Sequence, residues 1–197
     1  MMRRPWPIAL LLMLLFAAAA RSAPLPPRPY SGCGLLALQP EPGADKVTLS
    51  LYREPGLERL AERDGSALPR LSGSASEPLI AVSARKGGWT QLAYDDAGRQ
   101  GWIEQARAWR YLSWQEYLPG RWLRVLPGMK KGYYALKSEP GPGGVDRGSL
   151  TRDQTVCVLQ VEDDWVRLQA PSGWFRWRDA DSRLTVSLPG EGGAEKR

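Results

Sequence analysis

Few residues in this 197-residue chain could carry chemistry, and histidine is not among them. Its absence excludes Ser-His-Asp and Cys-His catalysis and every zinc site that uses an imidazole. Carboxylates come close together at Asp95-Asp96, Asp163-Asp164 and Asp179-Asp181. A glycosidase needs two acids about 5 to 10 Å apart across a cleft. Each of these sets instead falls in a stretch that reads as a turn, where aspartate bonds to nearby backbone. Asp163-Asp164 is also short of the roughly six to eight oxygens that calcium takes. There is no phosphate-binding or dinucleotide glycine fingerprint: 141–144 is a Pro-interrupted turn and does not open a helix. The chain reads as non-catalytic, with no cofactor and no metal.

Two thiols remain, Cys33 and Cys157. In an oxidising compartment they could form a single disulfide tying the start of the chain to its second half. Alternatively they are separate thiols, Cys157 being a small apolar residue in a strand. Ser31-Gly32 before Cys33 suggests a lipid-modified cysteine, but the apolar run that should directly precede one lies well upstream.

The chain has nine tryptophans, eight of them after the N-terminal leader, and their abundance is open to two readings, core or ligand contact. Trp89, Trp102, Trp165 and Trp174 are expected to complete small cores, or else to line a groove. Trp177 lies between Arg176 and Arg178 and is the tryptophan expected at a binding surface, with the two arginines beside it. Arg53, Arg85, Lys86 and Arg167 are further cations that could meet an anionic partner.

The elements that would position these residues begin after a leader. Arg3-Arg4, an apolar run over 8–20 and the small residues Ala20 and Ser22 form a secretory signal peptide over 1–22. The run is shorter than the roughly 20 residues of a membrane span. The chain is therefore expected in the periplasm or outside the cell by the Sec route, with no membrane span after cleavage. The net charge is +6, and Arg3, Arg4 and Arg21 leave with the leader, so +3 remains. So mild a balance, with no Lys/Arg cluster, argues against nucleic acid.

A proline-rich segment over 23–33 reads as extended and mobile. The glycine-rich, charged stretch 189–197 reads as a disordered tail. Between them lie short apolar segments punctuated by Gly, Pro and Asp, an all-β pattern. Strands are expected over 35–38, 47–52, 79–83, 90–94, 101–104, 122–126, 133–137, 155–161, 165–169, 174–177 and 184–188. Only 104–118 reads as helical for a turn or two.

The chain also repeats itself. Leu51-Tyr52-Arg53-Glu54-Pro55-Gly56 matches Leu136-Lys137-Ser138-Glu139-Pro140-Gly141. The stretch from Val82 to Leu92, with Trp89, matches Val158 to Leu168, with Trp165, and Gly101-Trp102-Ile103 matches Gly173-Trp174-Phe175. Pro and Gly end a strand, a tight turn follows, and Trp-x-x-Leu opens the return strand of a hairpin. Trp and Leu three apart fall on opposite faces of a regular strand, so one of them should sit at the hairpin's start and not inside its pleat.

This order of elements, present twice, is similar to the bacterial SH3 domain family over about 47–105 and 131–187. The resemblance implies two small SH3-like β-barrels in tandem: a first domain over 34–105, an aromatic-rich, partly helical linker over 106–121 and a second domain over 122–188. The first copy departs by a longer segment between Pro55 and Leu79, beside the family's usual binding surface. Trp109, Tyr111, Trp114 and Tyr117 of the linker are expected to pack the two domains into a fixed pair. The function implied is binding or scaffolding in the bacterial envelope, with peptidoglycan or an envelope protein as partner. The alternative is a periplasmic accessory subunit or inhibitor that recognises another protein and not wall polymer.

Overall fold

The computed structural model describes residues 28–40, 43–74 and 77–189. The expected signal peptide, residues 23–27 and the tail beyond Pro189 lie outside the described residues.

Alternating apolar residues build the strands. In β2 (Thr48–Tyr52) Leu49 and Leu51 point inward, and in β13 (Trp165–Leu168) Val166 and Leu168 do, as a period of two requires. The first half of the chain contains β1 (Gly34–Ala37), β2, β3 (Arg59–Asp64), β4 (Ser72–Gly73), β5 (Pro78–Lys86), β6 (Trp89–Ala93), β7 (Gln100–Glu104) and β8 (Arg110–Ser113). A one-turn helix, α1 (Trp114–Tyr117), leads into β9 (Trp122–Val125), β10 (Ala135–Lys137), β11 (Asp146–Ser149), β12 (Thr155–Glu162), β13, β14 (Gly173–Arg176) and β15 (Val186–Ser187).

Two antiparallel sheets result. The first runs β3-β2-β7-β6-β5-β1-β8 with β4 added beside β5, and the second runs β11-β10-β14-β13-β12-β9-β15. Position by position these are the same order, so the sequence repeat is a structural repeat. Register agrees as well: Val82 faces Leu92 as Val158 faces Leu168, and Tyr52 faces Trp102 as Lys137 faces Trp174. A register shift follows Val82 in one sheet and Val158 in the other. The hydrogen-bonded path of neither sheet returns to its own start.

The expected linker divides in two. Residues 110–113 form no helix; they pair along the open edge of β1 and belong to the first sheet. Helix α1 is confined to one turn, with the Ser113 side chain capping Glu116 N–H and the Glu116 carboxylate reaching back to Ser113 N–H. Strands β3 and β11 were not expected, because both are exposed hairpin arms with no apolar alternation to announce them.

Each sheet has its own apolar interior, but the second core extends past its own sheet. The first gathers Leu36, Leu38, Leu49, Leu51, Ile80, Val82, Leu92 and Ile103. The second combines Leu123, Val156, Val166, Phe175 and Val186 with Trp114, Tyr117 and Leu118 of the connecting segment and with Leu35, Ala37 and Leu79 of the first sheet. Shared burial of this kind couples the two halves by the hydrophobic effect.

The described part of the proline-rich segment is docked. Leu184 N–H donates to Pro29 O and Ser31 N–H to Ser182 O, at 2.9 and 2.8 Å. Arg28 pairs with the buried carboxylate of Asp179. Gly32 O then accepts from Arg178 Nη1 at 3.1 Å and from Trp114 Nε1 at 3.4 Å. Gly32 holds a φ of +63°, and a Cβ there would lie 2.0 Å from Val82 O, so only glycine lets the chain pass. Residues 28–32 therefore strap the second sheet immediately before the chain enters the first.

Candidate functional site

The structure removes the expected binding tryptophan from the surface. Trp177 is 0% exposed and belongs to the core. Its ring packs against Trp114, with centroids 4.8 Å apart. Its indole Nε1 donates to Asp163 O at 3.0 Å and its backbone N–H to Asp164 O at 3.0 Å. Arg178 Nε lies 2.6 Å and Arg176 Nη2 3.4 Å from the carboxylate of Asp164. These three residues thus hold the Asp163-Asp164 turn from behind. Two arginines beside a tryptophan resembled a contact surface in sequence, but their charges are spent on the turn.

The expected disulfide is also absent. Cys33 is an exposed free thiol and Cys157 a buried one. They serve different sheets: Cys33 N–H bonds to Val82 O of β5, while Cys157 faces Trp122 across β12 and β9. The strap ties the start of the chain to the second sheet without a covalent bond. A thiol reagent is accordingly expected to label Cys33 and spare Cys157 in the native chain, and to label both after denaturation. Peptide mapping by mass spectrometry reads this directly, and equal native labelling would contradict the placement.

Each aspartate set does turn chemistry. Asp95 accepts from Arg99 N–H at 3.0 Å and pairs with its guanidinium. Asp179 accepts from the N–H groups of Asp181 and Arg183, each at 2.9 Å. Burial pushes the Asp179 carboxyl up, but the Arg183 N–H, the Arg28 contact and charge, and the Asp181 N–H outweigh it and hold it below its ordinary value. Among the described residues no group of three or more His, Cys, Asp or Glu could hold a metal ion.

The repeat does bring one kind of surface together twice. In the second sheet, Pro140, Gly141 and Pro142 face the turn Glu162 to Trp165 and Arg176 across a cavity of about 310 Å³. Trp165, and not Leu168, is the member of the Trp-x-x-Leu pair at the hairpin's start: it opens β13 and stands between Glu162 and Arg176 in the ladder. Its indole is partly exposed beside prolines while Leu168 is fully buried.

The first sheet repeats the arrangement. Trp89 opens β6, meets Tyr52 edge-on at 5.2 Å, and lies 3.8 Å from where a Cβ on Gly56 would stand. The Glu54-Pro55-Gly56 turn here occupies the place of Glu139-Pro140-Gly141. The hairpin turns themselves differ in sign: Arg85-Lys86-Gly87-Gly88 in the first copy, Glu162-Asp163-Asp164 in the second. Both need positive φ, which Gly87 adopts at +58° and Asp163 at +48°. Asp163 accommodates it with its carbonyl fixed by Trp177.

Trp89 and Trp165 were expected mainly as core. What separates them from Trp102 is position, since a residue opening a strand at a hairpin turn lies at the sheet's rim; Trp174, the mid-strand counterpart of Trp102, is nevertheless half-buried. Trp102, in mid-strand, is 9% exposed.

No protein-family model matches the sequence, and no curated protein matches it. Among solved structures, the chain is similar to that of NlpC2 from Trichomonas vaginalis at 9% identity and a TM-score of 0.37, over 85% of this chain and 52% of that one. The chain thus spans about half the length of that protein. A likeness this slight transfers neither fold nor function.

Proposed function

We propose that this chain is an exported, non-catalytic binding or scaffolding protein of the bacterial envelope, built from two SH3-like units that contact peptidoglycan or a partner protein. The observation that carries the reading is the twofold construction of one surface: a partly exposed tryptophan opening a hairpin strand, facing a Pro-Gly turn. A stiff, partly exposed indole beside prolines offers flat apolar area with a donor at its rim, which suits peptide and glycan contact. The identical strand order of the two sheets supports the tandem construction on which this reading rests.

The test is binding of the chain from residue 23 to purified peptidoglycan sacculi. Trp165→Ala and Trp89→Ala are each expected to weaken saturable binding about tenfold or more, the loss of one aromatic hot spot. Circular dichroism of each variant checks that its fold is intact. Absence of sacculus binding by the unaltered chain would sink the wall-polymer reading. The accessory-subunit or inhibitor reading would then be tested by the same two substitutions in crosslinking to envelope proteins.

A further inference from the structure

The ladders set each rim tryptophan between one acid and one base, in opposite order. In the first sheet Trp89 of β6 faces Lys86 of β5 on one side and Glu104 of β7 on the other. In the second sheet Trp165 of β13 faces Glu162 of β12, the counterpart of β5, and Arg176 of β14, the counterpart of β7. Residues directly opposite one another in a ladder share a face, so each set of three side chains forms a row on one surface. Two inter-strand spacings of roughly 4.8 Å put the flanking residues about 10 Å apart.

These flanks keep charge for a ligand. Lys86, Glu104 and Glu162 are exposed, and no ion pair among the described residues includes them. Asp164 draws both Arg176 and Arg178 to the turn, yet one carboxylate balances only one of two guanidiniums. Arg178 is the closer, at 2.6 Å against 3.4 Å, and Arg176 Nε is buried with no hydrogen-bond partner. Glu162, Trp165 and Arg176 together line the cavity of about 310 Å³ beside Pro140 and Pro142.

We infer, building on the binding role proposed for the two tryptophans, that each row holds a zwitterionic peptide segment, its ammonium at the acid, its carboxylate at the base and its middle over the indole. Because the flanks are exchanged, the two units hold the segment in opposite directions relative to their strands. A neutral glycan has no charge to set against either flank, and a polyanion would meet the carboxylate. An extended tripeptide spans about 10 Å, the width of the row.

The probe is trialanine, added to the chain from residue 23 and followed by the NMR signals of the Trp89 and Trp165 indole N–H groups. Its control is the same peptide acetylated and amidated, which carries no charge. Exposed ion pairs are individually weak, so binding is in the millimolar range, and both indoles are expected to report affinity about fivefold or more higher for the free peptide. Lys86→Glu is expected to weaken the response at Trp89 about fivefold and to leave Trp165 unchanged. Adding Glu104→Lys to that variant rebuilds the row in reverse order and is expected to restore the response, which a merely structural role would not do. Acetylating the amine alone is expected to abolish the effect of Glu104→Gln at Trp89 and of Glu162→Gln at Trp165, which reads the direction. All the substituted side chains are exposed, so the fold tolerates each change. Equal affinity for free and blocked peptide, no response to either, or a double variant that fails to recover overturns the inference. Sacculus binding that persists beside any of those results leaves the proposed function standing without it, and a charge-dependent peptide response without sacculus binding does the reverse.

Discussion

Trp177→Ala is expected to lower the stability of the chain by about 3 to 5 kcal/mol, the range for a fully buried tryptophan. In a chain of this size that lowers the melting temperature by roughly 10 °C. Three losses combine. The ring leaves a cavity in the core, Trp114 loses the partner 4.8 Å away, and Asp163 O loses its indole donor. Trp114 belongs to the connecting helix and shares its core with Leu35 and Leu79 of the first sheet, so both halves should melt together at the lower temperature. Thermal unfolding followed by near-ultraviolet circular dichroism measures the effect. A small shift accompanied by loss of ligand binding would return Trp177 to the surface role expected from its sequence neighbours. Because Trp177 also backs the Asp163-Asp164 turn, any binding lost in this variant is read only after the same sample is shown to be folded.

Asp179→Ala is expected to cost about 2 to 4 kcal/mol at neutral pH, somewhat under the range for breaking a fully buried ion pair because Arg28 keeps partial contact with water. The carboxylate joins the strap to the second sheet and closes its own turn through the N–H groups of Asp181 and Arg183. Its pKa is depressed in the folded chain, so its stabilisation is present in full above the ordinary value of 3.8 and is lost as pH falls through the folded value. The difference between wild type and variant in urea midpoint should therefore be constant from pH 7 to about 5 and shrink on further acidification. A difference that grew in acid would mean that the carboxylate is not stabilised by its ionised contacts.

Much of the architecture was legible because it rests on local rules. Alternating leucines and valines located most strands, and the two Glu-Pro-Gly turns located two strand ends. Matching Val82 with Val158 and Trp102 with Trp174 anticipated a shared register that the ladders show residue by residue. The strands that escaped notice, β3, β4, β8 and β11, are short or have little inward-facing side, and they are held by main-chain pairing to a neighbouring strand. The strap escaped for a similar reason. Proline-rich sequence signals an extended chain, and its anchor at Asp179 comes from a residue 151 positions away.

The sequence alone determined three things about this protein: the chain has no histidine with which to build a Ser-His-Asp or Cys-His site, the fold is β, and one unit occurs twice. Which tryptophans meet solvent was decided by tertiary packing. A period of two says which side chains share a face, but a face becomes core only when something else is laid on it. Trp177 is buried because Trp114 arrives from outside its sheet. Leu35 is covered because Trp114, Tyr117, Leu118 and the second core close over it, whereas Trp122 in β9 stays 60% exposed.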